Sequence, residues 1–313
     1  MNKEKFFTKN VVVLFGALIC CALWGSAFPC IKLGYKTMGI AANNTPAQML
    51  YAGFRFFLAG VFTILIGSVL QKKVLLPKKE SIKKILILCM LQTVLQYIFF
   101  YIGLAHTAGV KASIIEGVNV FVAIIVSAGL FKMEKVTSKK IVGCLIGFAG
   151  VVIVNLAGNS LDFNMSFNGE GFIFLSTVAY AFSSVFLKRY SRTENPVTLS
   201  GYQFALGGLI MVAVALGMGA NLSEIKVDGL GILIYLALVS AVAYSLWGIL
   251  LKYNDVSKVT IFGFMNPVFG VFLSAILLQE KDLIGINCIV ALVLVSIGIY
   301  LSVSASKERK ENE

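Results

Sequence analysis

Charge is what this sequence has least of. Only 13% of its 313 residues are charged and 58% are hydrophobic, against about 25% charge in an ordinary soluble domain. One core cannot hide that much apolar surface, which excludes a soluble globular fold. Histidine occurs once, at His106, and no CxxC pair accompanies it, so no zinc set is in sight and no cofactor is expected. There is neither a Walker A loop nor an HExxH motif, and direct ATP drive would need another subunit. Asp162, Asp228, Asp255 and Asp282 lie in or beside loops, so a paired intramembrane aspartate site for hydrolysis is missing. The six cysteines, Cys20, Cys21, Cys30, Cys89, Cys144 and Cys288, all fall inside apolar runs. They read as small buried hydrophobes and not as a disulfide framework.

What the chain has instead is a series of long apolar windows, with a mean hydropathy of +0.88. They run approximately 11–35, 46–70, 83–105, 109–131 and 138–157, then 169–188, 196–217, 229–251, 258–278 and 283–304. Each is long enough for a membrane helix, and ten helices of about 21 residues would use about 210 positions. The first window is too long for the apolar core of a secretory signal and has no A-x-A site, so it is read as a retained helix. Ile19 stands before Cys20 where a lipid-attachment site needs a small residue. The connections are short, so each helix is expected to pack beside its sequence neighbours. Residues 305–313 form a charged tail, expected to be disordered.

The net charge of +12 must be read by position before nucleic acid is considered. With both ends cytoplasmic, 21 Lys and Arg fall on the cytoplasmic side and four (Lys36, Lys111, Lys226, Lys281) on the other. That is a strong positive-inside signal for an integral protein of the cytoplasmic membrane. The basic excess is a topology device with anionic lipid headgroups beside it. No nucleic acid is implied.

Two halves, 1–157 and 158–304, align block by block. Leu23-Trp24-Gly25-Ser26-Ala27-Phe28 matches Ala179 to Ser184, Arg55 with Gly60 matches Gln203 with Gly208, and Tyr97 and Phe100 match Tyr244 and Trp247. Leu130 to Lys135, with Glu134, matches Ile276 to Lys281, with Glu280. Five spans per half is an odd number, so the second half enters from the opposite side. The expected fold is all-α, ten transmembrane helices as two inverted five-helix repeats, an arrangement suited to alternating access.

The W-G-S-A-F start of the first span, with Lys32 eight residues after Trp24, resembles the ten-helix EamA-type members of the drug/metabolite transporter superfamily. Arg55 and the acidic turns after spans four and nine share in the resemblance, which covers nearly the whole chain. It implies a central cavity between repeats and transport of amino acids, amines or other small metabolites, with export preferred. Span nine carries the Asn266-Pro267 of that family, whereas span four has Val120-Phe121 at the matching place and lacks the proline hinge.

Polar side chains in a membrane helix should face the bundle interior. In span four Ser113, Glu116, Asn119 and Ser127 keep helical spacing, and Glu116 is the one acid well inside a span. Its ionised form is costly in lipid, so it must be paired, hydrated or protonated. Arg55 falls at a similar depth, so Glu116 either forms a structural ion pair with Arg55, or holds a substrate amino group, or carries a coupling proton. Trp24, Gln92, Gln96, Asn119, Tyr180, Tyr244, Trp247 and Asn266 complete the expected substrate wall, which suits an amphipathic solute or an ammonium head. A zwitterion could use Glu116 for its ammonium and Arg55 for its carboxylate. Lys32 reads as snorkelling to the interface, and Gly143, Gly147 and Gly150 as a packing face within the fold or between subunits. Oligomeric state is not legible. A translocase of a lipid-linked precursor, with a side opening to lipid, is the alternative on the same fold. A membrane enzyme acting on lipid headgroups is the alternative from another class, although no enzyme chemistry is expected.

Overall fold

Apolar runs uninterrupted by breakers close their own backbone hydrogen bonds as helices, the only open-ended structure lipid tolerates. The structure, a computed structural model, describes residues 3–41, 43–107, 109–156, 165–278 and 285–312. Among these no strand occurs, and ten helices are long and apolar enough to cross a membrane. They are α1 (Asn10–Met38), α2 (Thr45–Leu70), α3 (Lys79–Leu104), α4 (Lys111–Leu130) and α5 (Ser138–Leu156). The second five are α6 (Phe167–Tyr190), α7 (Pro196–Gly217), α8 (Val227–Tyr253), α9 (Val256–Leu277) and α10 (Ile286–Ala305). The tail expected to be disordered continues the last helix as far as Asn312. Asp162, Glu280, Lys281 and Asp282 lie outside the described residues, and with them the second acidic turn.

Local chemistry sets the helix ends. Gly39 closes α1 in the left-handed region at φ 71°, which costs glycine nothing. The Asn44 side chain accepts from the Ala47 amide to start α2, and the Asn195 side chain accepts from the Val197 amide to start α7. Each cap is followed within two residues by a proline, Pro46 or Pro196, whose missing amide proton is harmless there. The corresponding helices of the two halves thus begin with the same device.

Packing departs from the expectation that neighbours in sequence would be neighbours in space. The most extensive partnerships cross between the halves: α2 with α7, α5 with α10, α1 with α8 and α9, and α6 with α3 and α4. Advancing every number by five maps this set onto itself. The cause is visible at the α2–α7 crossing, where a Cβ at Gly60 would lie 2.3 Å from the Ala205 amide nitrogen and one at Gly208 would lie 2.3 Å from that of Phe57. Backbone meets backbone there, as small residues allow between membrane helices. Gly143 serves the α5–α10 contact in the same way, with a Cβ there only 2.7 Å from the Gly298 carbonyl. The small-residue face of α5 is therefore used inside the fold. Gly60→Val is expected to lower stability by about 1–3 kcal/mol through overpacking, read as an earlier thermal melt and an aggregated fraction in size-exclusion chromatography.

The most buried spans are α6, α8 and α9, each with 56% of its apolar window enclosed, whereas α4 and α10 have 28%. The first three form the centre and the last two the lipid-facing flanks. Exposed Val11, Phe15, Leu65, Val69 and Ile289 present the apolar exterior that acyl chains require.

Candidate functional site

α1 runs from the face carrying its N-terminus to the opposite, far face, and short connections make the following helices alternate. The first halves of α2 and α4 and the second halves of α1 and α3 therefore all lie toward the far face. Those segments, with the middles of α6 and α9 and the second half of α8, enclose a cavity of about 180 Å³. Its wall includes Trp24, Arg55, Gln96, Glu116, Asn119, Tyr180, Tyr244, Trp247 and Asn266. Nine of the ten residues singled out in the sequence thus meet around one space. This volume is below the ~300–1,000 Å³ of sites for drug-sized ligands.

The exception is Gln92. It is 1% exposed and sits behind the wall, where its side-chain oxygen accepts from Gln203 Nε2 at 3.1 Å while Thr93 Oγ1 donates to Gln203 Oε1 at 2.7 Å. The expectation for Gln92 rested on Gln92 and Gln96 being four residues apart, one above the other on an α-helix. Residues Cys89–Leu95 form a π-helix instead, whose i→i+5 bonds put more residues in each turn. Four residues then no longer return to the same face. Gln92 ties α3 to α7.

Arg55 and Glu116 share the cavity without pairing. Arg55 is 5% exposed, and its Nε and Nη2 donate to Ser240 Oγ at 3.2 and 3.0 Å, with the guanidinium 5.2 Å from the Phe56 ring centre. Among the described residues no cation lies within ion-pair distance of Glu116. The aromatic wall is continuous: Trp24 packs edge-on against both Tyr244 and Trp247, each at 5.0 Å between ring centres, and Phe204 lies behind Tyr244.

Several polar atoms on this wall are buried without a hydrogen-bond partner among the described residues: Nε1 of Trp24 and Trp247, Oε1 of Gln96, and Oδ1 of Asn119 and Asn266. An unsatisfied buried polar group costs about 1–3 kcal/mol. Gathered on one surface, these atoms leave the wall with unspent capacity to hydrogen-bond a polar group in the cavity. Asn119 and Asn266 stand 147 positions apart, the spacing that also relates Tyr97 to Tyr244. At that register Asn119 is the counterpart of Asn266 and only the proline is replaced, by Val120. The helix nevertheless breaks at the same level in both halves, at Val118 in α4 and over the 3-10 turn Ile261–Phe264 in α9. The missing proline does not remove the interruption from the first half.

Tyr97, Tyr101 and Phe264 are wall residues that the sequence had not singled out as site residues. The two repeat-related tyrosines meet, Tyr97 Oη lying 3.2 Å from Tyr244 Oη, so the repeat itself was the signal for Tyr97. Tyr101, close to Tyr35 Oη at 3.5 Å, sits in an aromatic run whose lipid-facing and inward members look alike in sequence.

The sequence profile of the EamA-like transporter family matches residues 11–156 and again residues 167–304. The chain belongs to the EamA-like transporter family. It is similar to an uncharacterized transporter of Archaeoglobus fulgidus, 26% identical over 289 residues, covering 90% of this chain and 94% of that one. It is also 26% identical over 310 residues to the uncharacterized inner membrane transporter YedA of Escherichia coli, covering 94% of each. A solved crystal structure shares the fold with a TM-score of 0.77 at 15% identity, covering 95% of this chain and 98% of that one. As a member of this family the chain is a membrane transporter, and the cavity is its candidate solute site.

On the N-terminal face the same chain is tied shut between its halves. Lys140 is fully buried; its Nζ donates to Glu134 Oε2 at 3.2 Å and to Ser257 Oγ at 2.7 Å. Glu134 also accepts from the hydroxyls of Ser127 and Ser257 and, at 3.1 Å, from the Ser257 amide. Nearby, Lys188 Nζ donates to the carbonyls of Leu251 and Asn254, and Asn254 Nδ2 donates to the Phe7 carbonyl at 2.9 Å. Glu194, in the turn between α6 and α7, meets Lys84 Nζ at 2.8 Å. Burial opposes ionisation of Glu194, but the Lys84 hydrogen bond and charge outweigh it and hold the carboxyl below its usual range. A depressed carboxyl stabilises above its unfolded value and loses that contribution as pH falls through the folded one. Glu194→Gln should thus cost less than about 1 kcal/mol at neutral pH, since the pair is partly exposed. The difference in thermal melts should shrink progressively as pH falls below the ordinary glutamate value of about 4.3.

Proposed function

We propose that the chain is a secondary transporter of small organic amines or amino acids in the cytoplasmic membrane, working by alternating access with both termini cytoplasmic. The observation that carries the reading is the one wall on which an unpaired carboxylate, unpartnered amide oxygens and a Trp–Tyr–Trp cluster converge. A cationic ammonium is met by all three, through charge, hydrogen bonds and cation–π attraction. Arg55, held in place by Ser240, supplies the complementary charge for the carboxylate of a zwitterion. Glu116 unloaded can carry a proton, which would couple transport to the proton gradient.

The two halves, read as inverted repeats, give two similar states of opposite exposure. In the state at hand the Glu134–Lys140–Ser257 network closes the lysine-rich side, which the positive-inside rule makes cytoplasmic, while the cavity lies toward the far side. Export, the direction favoured by the resemblance, requires this network to open so that cytoplasmic solute can enter. A competing role as an enzyme on lipid headgroups would predict product formation by detergent-purified protein with no second compartment.

A thermal-stability screen of purified protein against amino acids, amines, quaternary ammonium compounds and nucleosides tests the class, because a ligand of the folded state stabilises by mass action. Amines and zwitterions should raise Tm and should then support counterflow in proteoliposomes. Stabilisation confined to nucleosides would sink the substrate class.

A further inference from the structure

A second recess lies outside the cavity, on the lipid-facing flank between α4 and α5. It is an almost wholly apolar groove of about 400 Å³, walled by Phe121, Ile125, Ala128, Gly129, Ile141 and Cys144 among others. Ala128, Gly129 and Val136 also line an adjoining open pocket at the membrane boundary whose wall includes Lys132 and Lys135. The two recesses adjoin across these shared residues, the first apolar in its depth and the second lined at its mouth by both lysines, with Glu134 between them. The groove exists because the last six residues of α4, Ile125–Leu130, leave α-helical geometry for a π-helix, and because nothing lies within 4 Å of where a Gly129 Cβ would be. Such π turns recur at functional sites.

Lys132 and Lys135 are exposed and have no ion-pair partner among the described residues. The carboxylate between them, Glu134, is turned inward and spent on Lys140 and Ser257, so it does not neutralise the mouth. The loop therefore sorts its charges, acid inward and bases outward, on the face that carries most of the lysines. We propose that the two adjoining recesses are a binding site for one anionic phospholipid, its acyl chain in the α4–α5 groove and its phosphate between Lys132 and Lys135. Charge complementarity and the adjacency of apolar groove and lysine-lined mouth select this occupant over a zwitterionic lipid, whose headgroup gains little from two lysines. The loop held by the lipid is the one that places Glu134, so occupancy would favour the closed N-terminal face.

Native mass spectrometry of the full chain, loaded with phosphatidylglycerol or phosphatidylcholine of the same acyl chains, provides the test. Wild type should retain phosphatidylglycerol in preference. K132A/K135A should lower that preference by about fivefold per lysine removed, while K72A/K73A, which removes two exposed lysines elsewhere on the same face, should leave it unchanged. Gly129→Leu should displace the bound lipid whatever its headgroup, without harm to the fold, because a Cβ there meets nothing. Equal retention of the two lipids by wild type, or equal loss in the two lysine double variants, would overturn the site. Displacement of phosphatidylglycerol by inorganic phosphate alone would overturn it too, by showing an anion site with no part for the acyl chain.

Discussion

Glu116→Gln is expected to reduce counterflow of the amine or amino acid identified by the screen by about 10- to 100-fold, with the unliganded protein melting within a few degrees of wild type. The magnitude follows from one charge-assisted contact, about 1.5–3 kcal/mol. Glutamine keeps the shape and the hydrogen-bonding capacity of the side chain, so the shape of the cavity wall is preserved and only the charge is lost. Folding should not suffer, because Glu116 has no cationic partner among the described residues to strand: Arg55 is engaged by Ser240. Glu116→Asp keeps the charge but withdraws it by one methylene, and should retain intermediate transport. Counterflow by Glu116→Gln at the wild-type rate would remove Glu116 from the solute path. A lowered Tm together with lost transport would instead assign it a structural role.

The second large effect is expected at the N-terminal face. Lys140→Met leaves the Glu134 carboxylate enclosed with only hydroxyl and amide donors, and breaking a buried pair from one side costs about 3–5 kcal/mol. Both side chains are essentially inaccessible, at 0% and 1% exposure, so water cannot take the place of the lost ammonium. Removing both charges in Glu134→Leu/Lys140→Met should recover most of that stability, since replacement of a whole buried pair by apolar groups is often neutral. The double variant would then separate folding from gating. With its halves no longer bridged at Ser257, a cysteine placed at Asn119 should react faster with an impermeant thiol reagent applied from the lysine-rich side. Reactivity unchanged from the same cysteine in an otherwise wild-type chain would mean that the network is structural only.

How much of this was legible in the sequence depended on which periodicity each residue obeyed. The ten spans followed from hydropathy and length alone, and where a cap such as Asn44 or Asn195 fixes a start, the expected and observed starts agree to within one residue. Tyr180, Tyr244 and Trp247 sit on segments that remain α-helical, so helical spacing placed them on the inward face as the structure does, and Glu116 and Asn119 keep to the same wall across the short break at Val118. Gln92 failed because a π turn rotates the face, and a single sequence carries no sign of that extra residue. The partnerships between halves were hidden for a different reason. Gly60 and Gly208 were visible as a repeat match, yet only coordinates bring their backbones together. Tyr97 could have been read from its match to Tyr244, whereas Tyr101 could not.

The backbone contact at Gly60 and Gly208 also bears on the order of events during synthesis. Until α7 has left the ribosome, the bare trench of α2 at Gly53 and Gly60 has only lipid to fill it, and acyl chains fit such a surface poorly. The first five helices are thus inserted before they can be finished. A nascent chain arrested after α5 should be handed to membrane quality control, and rescued when the missing half is supplied from a second transcript.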